Sequence, residues 1–331
     1  MAEPVSVSRT LMGSPFNITA YPGGGRRLAT EQELLTAVNT AYAELAAVED
    51  MLTDFRDSPL NRVNAGAGGP PVKVPSELFG LLEFALGACR DSGGAFDITF
   101  SAVGMLWREA FRTGVPPSDA AIDAALRLVN YSKVELDREA CTVRLPQAGM
   151  RIGLGSIGKG YGVDRAFHVL RDLGLENFLV NGAGDIRVCS GPGAPRPWRV
   201  AIKNPFGSDD RAAGFLDLKN GAVVTSGDYE KYFIHRGRKY HHIIDARTGR
   251  VRSDIASVTV AASTATIANA CTISVMALGP EEGAAFLNRR RGAGGVLIDT
   301  AGKTLNCGLK AGILNYESMN LEGELYAAAK P

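Results

Sequence analysis

The sequence predicts an α+β protein in which mixed and antiparallel sheets pack with helices, and three observations point there. Helical and strand periods both occur, in runs that do not alternate regularly, which argues against a doubly wound parallel sheet. Residues 30–52 place apolar side chains at Leu34, Val38, Tyr42, Leu45, Val48 and Leu52, the spacing of one helix face. Residues 133–137 and 142–145 alternate in polarity on either side of a short gap, as an antiparallel hairpin does. With 331 residues, 45% hydrophobic and 21% charged, the chain can bury a sizeable core. No repeat and no shift in composition divides it, so 1–331 reads as a single domain.

Taken in order, 5–10 and 16–21 have β character, and Met12, Gly13, Ser14 and Pro15 between them have the composition of a turn, so the chain opens on a hairpin. Thr30, three residues before Glu33, suits the N-cap of the helix over 30–52. A second helix starts at Ser76, with Leu78, Leu81, Leu82, Ala85 and Cys89 on one stripe, and the glycine- and proline-rich stretch 65–71 reads as a surface loop between the two. A short helix over 120–129 precedes the 133–145 hairpin. A glycine-rich turn leads into a helix over 159–173 ended by Gly174, then a strand over 178–181. Several β-rich stretches lie between 198 and 262, and helices are expected over 266–278 and 281–290.

Composition excludes several classes of function. The formal net charge is +1 and the cations are scattered, so nothing points to nucleic acid or an anionic membrane. No run approaches the roughly 18 apolar residues of a membrane span. The opening residues carry no basic, apolar and cleavage segments of a leader, which makes a cytoplasmic location the expectation. Cys89, Cys141, Cys189, Cys271 and Cys307 lack the paired spacing of zinc or redox motifs and read as reduced, mostly buried thiols.

The chemistry concentrates in 153–164. Gly153, Gly155, Gly158 and Gly160 make four of its first eight residues glycine, and the segment runs directly into an amphipathic helix. Such a turn exposes backbone N–H groups beside the positive end of a helix, and with Lys159 these donors suit a phosphate or pyrophosphate. The same composition also serves as a plain tight turn, and neither the Walker nor the dinucleotide spacing is met. Segments 92–97, 181–185, 225–229 and 240–249 combine glycines, aromatics and single carboxylates near strand ends. That is what a planar, hydrogen-bonding ligand requires.

The order and spacing of Met12, Ser58 to Asn64, Gly94 to Asp97, Lys159 to Tyr161, Gly184 with Asp185, Thr225 to Tyr229, His242 to Asp245, and Thr248 with Gly249 resemble the ApbE family of flavin transferases, over roughly residues 8–300. The resemblance implies a protein that binds FAD and moves FMN from it to a threonine or serine hydroxyl of a target flavoprotein. AMP leaves, and magnesium is usually required. It further implies that Met12, Phe55, Ala95, Phe96 and Asp97 line the flavin and adenine parts of FAD, with Gly153 and Asp228 also at the cofactor. Lys159 would reach the phosphates, Ile243 would pack near them, and His242 would act as base or phosphate ligand. His242 can also be read as a core histidine, with its neighbour His241 the exposed one.

Four departures stand against these matches. Typical members open the glycine turn with aspartate where this chain has Gly153, and hold magnesium with an aspartate and a threonine where it has Asn269 and Ile273. Ala246 replaces a usual proline, and Ser101 with Ala102 replace glycine and proline. Ser156, Asn269 and Thr272 could offer neutral oxygens, but magnesium prefers anionic ones. Three readings therefore remain: an FMN transferase with a degraded metal site, a flavin-binding enzyme of the same fold with repurposed, metal-independent chemistry, and a noncatalytic flavin carrier or maturation partner.

Overall fold

The computed structural model describes residues 3–22, 30–191, 197–207, 212–309 and 315–318. The expected opening hairpin is formed by β1 (Val5–Leu11) and β2 (Ser14–Ala20), with Leu11 paired to Ser14 across a two-residue turn. Both turn residues have positive φ, Met12 at 50° and Gly13 at 68°. Gly13 adopts this without cost, whereas Met12 is held there against its own preference. Helix α1 (Glu31–Leu52) starts on the expected capping box of Thr30 and Glu33, and all six residues of its expected stripe are buried. The Tyr42 hydroxyl lies 2.7 and 2.8 Å from the carbonyl oxygens of Val7 and Phe16, fastening α1 to the hairpin.

Two helices were not legible from the sequence. The first, α2 (Pro59–Ala65), is capped by Ser58 and has proline in its first turn. Beyond it lie β3 (Val72–Lys73) and α3 (Ser76–Asp91). The second, α4 (Ser101–Thr113), buries only Ser101, Val103, Trp107 and Ala110. Next come α5 (Asp119–Leu126), which starts on Ser118 and stops short of the expected 129, and the expected hairpin of β4 (Glu135–Asp137) and β5 (Thr142–Arg144).

After the glycine turn, α6 (Gly158–Asp172) ends before Gly174, whose φ of 92° is the left-handed stop that glycine tolerates. The chain then forms β6 (Asn177–Gly182), β7 (Asp185–Ser190), β8 (Trp198–Lys203), β9 (Ala212–Leu218) and β10 (Asn220–Gly227). Residues 208–211 of the expected β-rich region lie outside the described residues. Two hairpins, β11 (Tyr232–His235) with β12 (Arg238–His241) and β13 (Ile244–Asp245) with β14 (Arg250–Val251), lead to β15 (Ile255–Ala262). Helices α7 (Ala265–Leu278) and α8 (Pro280–Arg289) precede β16 (Ala293–Asp299), β17 (Thr304–Cys307) and β18 (Asn315–Ser318).

Eight strands form the central sheet in the order β1-β2-β6-β7-β10-β15-β16-β17, and every neighbouring pair is antiparallel. Side chains alternate across it: Val224, Val258 and Val260 face the cluster shared with α1, α6 and α7. Val188, Val223 and Val296 face the small sheet β18-β9-β8 on the other side. Covered on both faces, β15 is buried along its whole length. A second cluster joins α3 to the β3-β5-β4 sheet. All five cysteines are free thiols, four of them buried, and no helix among the described residues is long and apolar enough to cross a membrane.

Close packing sets the distance between α6 and α7. A Cβ on Gly160 would lie 2.7 Å from the carbonyl oxygen of Ala265 and 3.1 Å from the Cβ of Asn269. Gly160→Ala is therefore expected to lower stability, because about 1–3 kcal/mol of overpacking exceeds the roughly 1 kcal/mol gained in helix propensity. The urea midpoint of the variant measures it.

Candidate active site

At one end of the sheet a cleft of about 710 Å³ opens where the glycine turn meets the β1–β2 turn, the loop before α4 and α4 itself, the β6–β7 turn, the end of β10 and the residues after it, the 242–246 segment and the inner face of α7. The Asn64 side chain sets the glycine turn by pairing with Ile152 as a strand would, its Nδ2 donating to the carbonyl oxygen at 3.0 Å and its Oδ1 accepting from the amide at 2.7 Å. Gly153 then donates to the carbonyl oxygen of Ile98 at 2.8 Å, joining the turn to the loop that carries Ala95, Phe96 and Asp97. That loop is itself fixed by Asp97. One carboxylate oxygen accepts from the amide and hydroxyl of Thr99, both at 2.7 Å, and the other from the amide of Tyr131 at 2.9 Å. Burial raises its pKa, and these donors pull it back.

Among the residues named from the sequence, Ala95, Phe96 and Asp97, Gly153, Ser156 and Lys159, and His242, Ile243 and Asn269 line this one cleft. Four others lie off its wall, and each has a physical reason. Met12 packs half-buried between the two main apolar clusters, leaving Gly13 and Ser14 at the cleft. Phe55 is 82% exposed and stacks 4.5 Å from the guanidinium of Arg108, which does line the cleft. Asp228 is buried in an ion pair with Lys239 at 2.9 Å. Thr272 is fully buried, accepting from Ser226 at 2.8 Å and donating to the carbonyl oxygen of Asn269 at 2.9 Å.

The two histidines have opposite surroundings. His241 is the core residue: its Nε2 bonds to the carbonyl oxygen of Arg252 and its Nδ1 accepts from the amide of Ile243 at 3.2 Å. His242 is exposed to the cleft. Its Nδ1 lies 3.2 Å from the carbonyl oxygen of Lys231, which can only accept, so Nδ1 carries the proton and Nε2 keeps its lone pair. Desolvation within the cleft wall pushes its pKa down to about 4, with the charges of Lys159 and Lys231 adding to the shift. The ring is held by the β11–β12 hairpin, which rests on α4 through the Phe111–Phe233 and Trp107–Tyr240 contacts at 5.2 and 5.9 Å. Trp107 of α4 also donates to the carbonyl oxygen of Gly249 at 2.9 Å. The helix that sequence reading missed thus positions His242.

Sequence reading also missed the partner of Lys159. The Lys159 ammonium lies 4.0 Å from Asp185, whose side chain is almost wholly buried. Burial raises Asp185 to about 6 against the opposing pull of Lys159. Its second oxygen accepts from Asn269 Nδ2 at 3.1 Å, while Asn269 Oδ1 is buried without a partner among the described residues. Asp185 stands in one of the motifs singled out above, but only folding brings it to Asn269.

These residues do not fit a magnesium ion held by the protein. Such a site needs several hard oxygens, at least one anionic. Here both oxygens of Asp185 face N–H donors, Thr272 is fully engaged and Ile273 is apolar. No cluster of three His, Cys, Asp or Glu side chains occurs among the described residues. The missing aspartate at 153 also has a steric counterpart, since a Cβ on Gly153 would lie 3.1 Å from the Cβ of Ser101. A side chain at 153 would press on Ser101, which would have to give by a few tenths of an ångström.

Comparison with known proteins agrees with this geometry. The chain is 32% identical over 295 residues to a FAD:protein FMN transferase of Klebsiella pneumoniae, covering 88% of each protein. It is 34% identical over 281 residues to one from Treponema pallidum, covering 80% of this chain and 78% of that protein. The solved structure of the ApbE protein of Thermotoga maritima superposes with a TM-score of 0.83 at 26% identity, over 92% of this chain and 97% of that one. The flavin transferase ApbE of Vibrio cholerae superposes with a TM-score of 0.78 at 27% identity, over 93% and 98%. The ApbE family model itself matches residues 12–297, and the chain belongs to the ApbE family.

Proposed function

We propose that this protein is a FAD:protein FMN transferase, moving FMN from FAD to a threonine or serine hydroxyl of an acceptor protein and releasing AMP. The observation that carries the reading is that His242, with Nε2 unprotonated, lines the same cleft as Lys159 and the glycine turn. Nε2 accepts the proton of the acceptor hydroxyl. The hydroxyl oxygen forms its bond to the phosphorus of the FMN half as the pyrophosphate bond breaks, and the electron pair leaves with AMP. The Lys159 ammonium and the amides of the glycine turn hold the pyrophosphate and meet the charge on the leaving phosphate. Ala95, Phe96 and Ile243 wall the ring system, and Phe55 with Arg108 stands at the rim. Asp97 and Asp228 act through the loop and the hairpin they fasten.

Asn269 and Gly153 favour a second reading, in which FAD is bound and kept intact. One assay separates the two: FAD is incubated with the protein and a bait carrying an acceptor threonine, AMP is quantified, and the bait is weighed by mass spectrometry. Transfer adds one FMN to the bait and one AMP to the solution. Flavin retention without AMP supports the second reading. Lys159→Ala should weaken FAD binding by about 1.5–3 kcal/mol, the worth of a charged hydrogen bond, or roughly ten- to a hundred-fold. The first turn of a helix disfavours a cation, but Lys159 also answers the buried Asp185, so some stability is lost with it and the affinity is read on a variant shown to be folded. Equal FAD affinity in a folded variant would assign Lys159 to solvent.

A further inference from the structure

Resting on the proposed FAD site, we infer that the side chains around the pyrophosphate pocket are already charge-neutral, Lys159 answering Asp185, so that the protein anchors no divalent cation and FAD binds without one, held at its phosphates by the glycine-turn amides and Lys159, and that Asn269 sets this property.

The inference starts from a charge count at three contacting side chains. Asp185 brings one negative charge into a site where it is 1% exposed. Lys159 brings one positive charge 4.0 Å away. Asn269 adds none, and it satisfies the second Asp185 oxygen with an N–H donor at 3.1 Å. The two charges cancel within the site, leaving no surplus carboxylate for a dication to neutralise. A dication at the free Asn269 Oδ1 would lie near the repelling Lys159 ammonium, with that neutral amide oxygen as its one side-chain ligand among these three groups. The packing around Gly153 agrees, because a side chain there would crowd Ser101, 3.1 Å from the Cβ. An aspartate at 269 would reverse the balance. Two carboxylates would then face each other across about the present 3.1 Å contact, with one lysine between them and the phosphates. Such a pair needs a further cation.

The test is FAD affinity, read by quenching of flavin fluorescence in EDTA and in excess magnesium, for the full chain and for Asn269→Asp, together with calorimetric titration of magnesium into the flavin-free protein. Wild type should bind FAD equally in both buffers and give no magnesium isotherm. Asn269→Asp should lose roughly ten- to a hundred-fold in EDTA, the worth of one unpaired like charge a few ångströms away in a partly open cleft. Magnesium should restore it. Tightening of wild-type FAD binding by magnesium of roughly fivefold or more, the scale of coupled sites, overturns the inference while leaving the FAD site standing. So does an Asn269→Asp variant that binds FAD in EDTA as wild type does. Absence of FAD binding in either buffer overturns the proposed function itself. Should Asn269→Asp not fold, the wild-type comparison decides alone.

Discussion

Replacing His242 by alanine is expected to cut FMN transfer by about 10²–10⁴-fold, the usual worth of a positioned general base, with FAD affinity largely kept. The ring is oriented through one backbone group: the amide of His242 and its Nδ1 both bond to the carbonyl oxygen of Lys231, at 3.0 and 3.2 Å. That leaves Nε2 as the working atom. His242→Gln keeps a donor near Lys231 but offers no base, so it should be as impaired as alanine in transfer. A merely structural role would instead be rescued. The pH profile gives an independent check. Because the folded-state pKa is pushed from 6.5 down to about 4, the neutral ring is the form folding favours. The stability it contributes is present above about 6.5 and is lost as the pH falls toward 4. The basic form persists over the same range, so wild-type transfer should stay flat through neutral pH and fall only on approaching about 4. An acid limb near the ordinary histidine value would argue that His242 is not the titrating base.

Removing Asp164 is expected to cost about 3–5 kcal/mol of stability, the scale for breaking one half of a buried ion pair. Asp164 is 6% exposed and Arg187 is 7% exposed, with 2.7 Å between carboxylate and guanidinium. The same carboxylate accepts from the amides of Ala265 and Thr266 at 2.9 and 2.8 Å and from the Thr266 hydroxyl, so it also caps the N-terminus of α7 and meets the helix dipole there. Arg187 stacks 3.9 Å from the Phe167 ring, and burial pulls its pKa below the ordinary arginine value. In Asp164→Ala the guanidinium would stay buried without its anion, and the first two amides of α7 would lose their acceptor while Thr264 still capped Ile267. Since α6 carries Lys159, β7 carries Asp185 and α7 carries Asn269, one carboxylate ties together the three elements of the pyrophosphate pocket. The urea midpoint should fall steeply and FAD affinity with it, whereas Asp164→Asn, which keeps the shape, should recover part of both. A midpoint unchanged in Asp164→Ala would show that Arg187 finds another partner.

Elements with one long apolar stripe were legible before any coordinates. The residues Leu34 to Leu52 could lie on one face only as a helix, and Thr30 with Glu33 marked its start. Gly174 marked the end of α6 for an equally local reason, its backbone conformation. By contrast α4 has its buried residues Val103, Trp107 and Ala110 at helical spacing, a period the sequence reading passed over because so few apolar residues mark it. What the sequence could not show is what covers that face, the β11–β12 hairpin and Gly249, partners far along the chain. Phe55 and Asp228 carried the residue types of a binding site and lie off the cleft wall, because an arginine stack and an ion pair claim them.

By itself the sequence determined the fold class and the order of its glycine-, aromatic- and carboxylate-bearing segments, since each is a property of residue type, local period or spacing. Only tertiary structure decided which histidine faces the cleft, what occupies the space beside Gly153, and that Asp185, 84 residues from Asn269, is the group the asparagine answers. His241 and His242 are adjacent on one strand end and differ only in what lies on either side of them. Charge balance in a pocket is likewise a sum over side chains that the antiparallel pairing of β6, β7 and β10 and the crossing of α6 over α7 bring within a few ångströms. No local pattern encodes that sum, because Coulomb energy depends on distance in space and burial, and neither exists until the chain has folded.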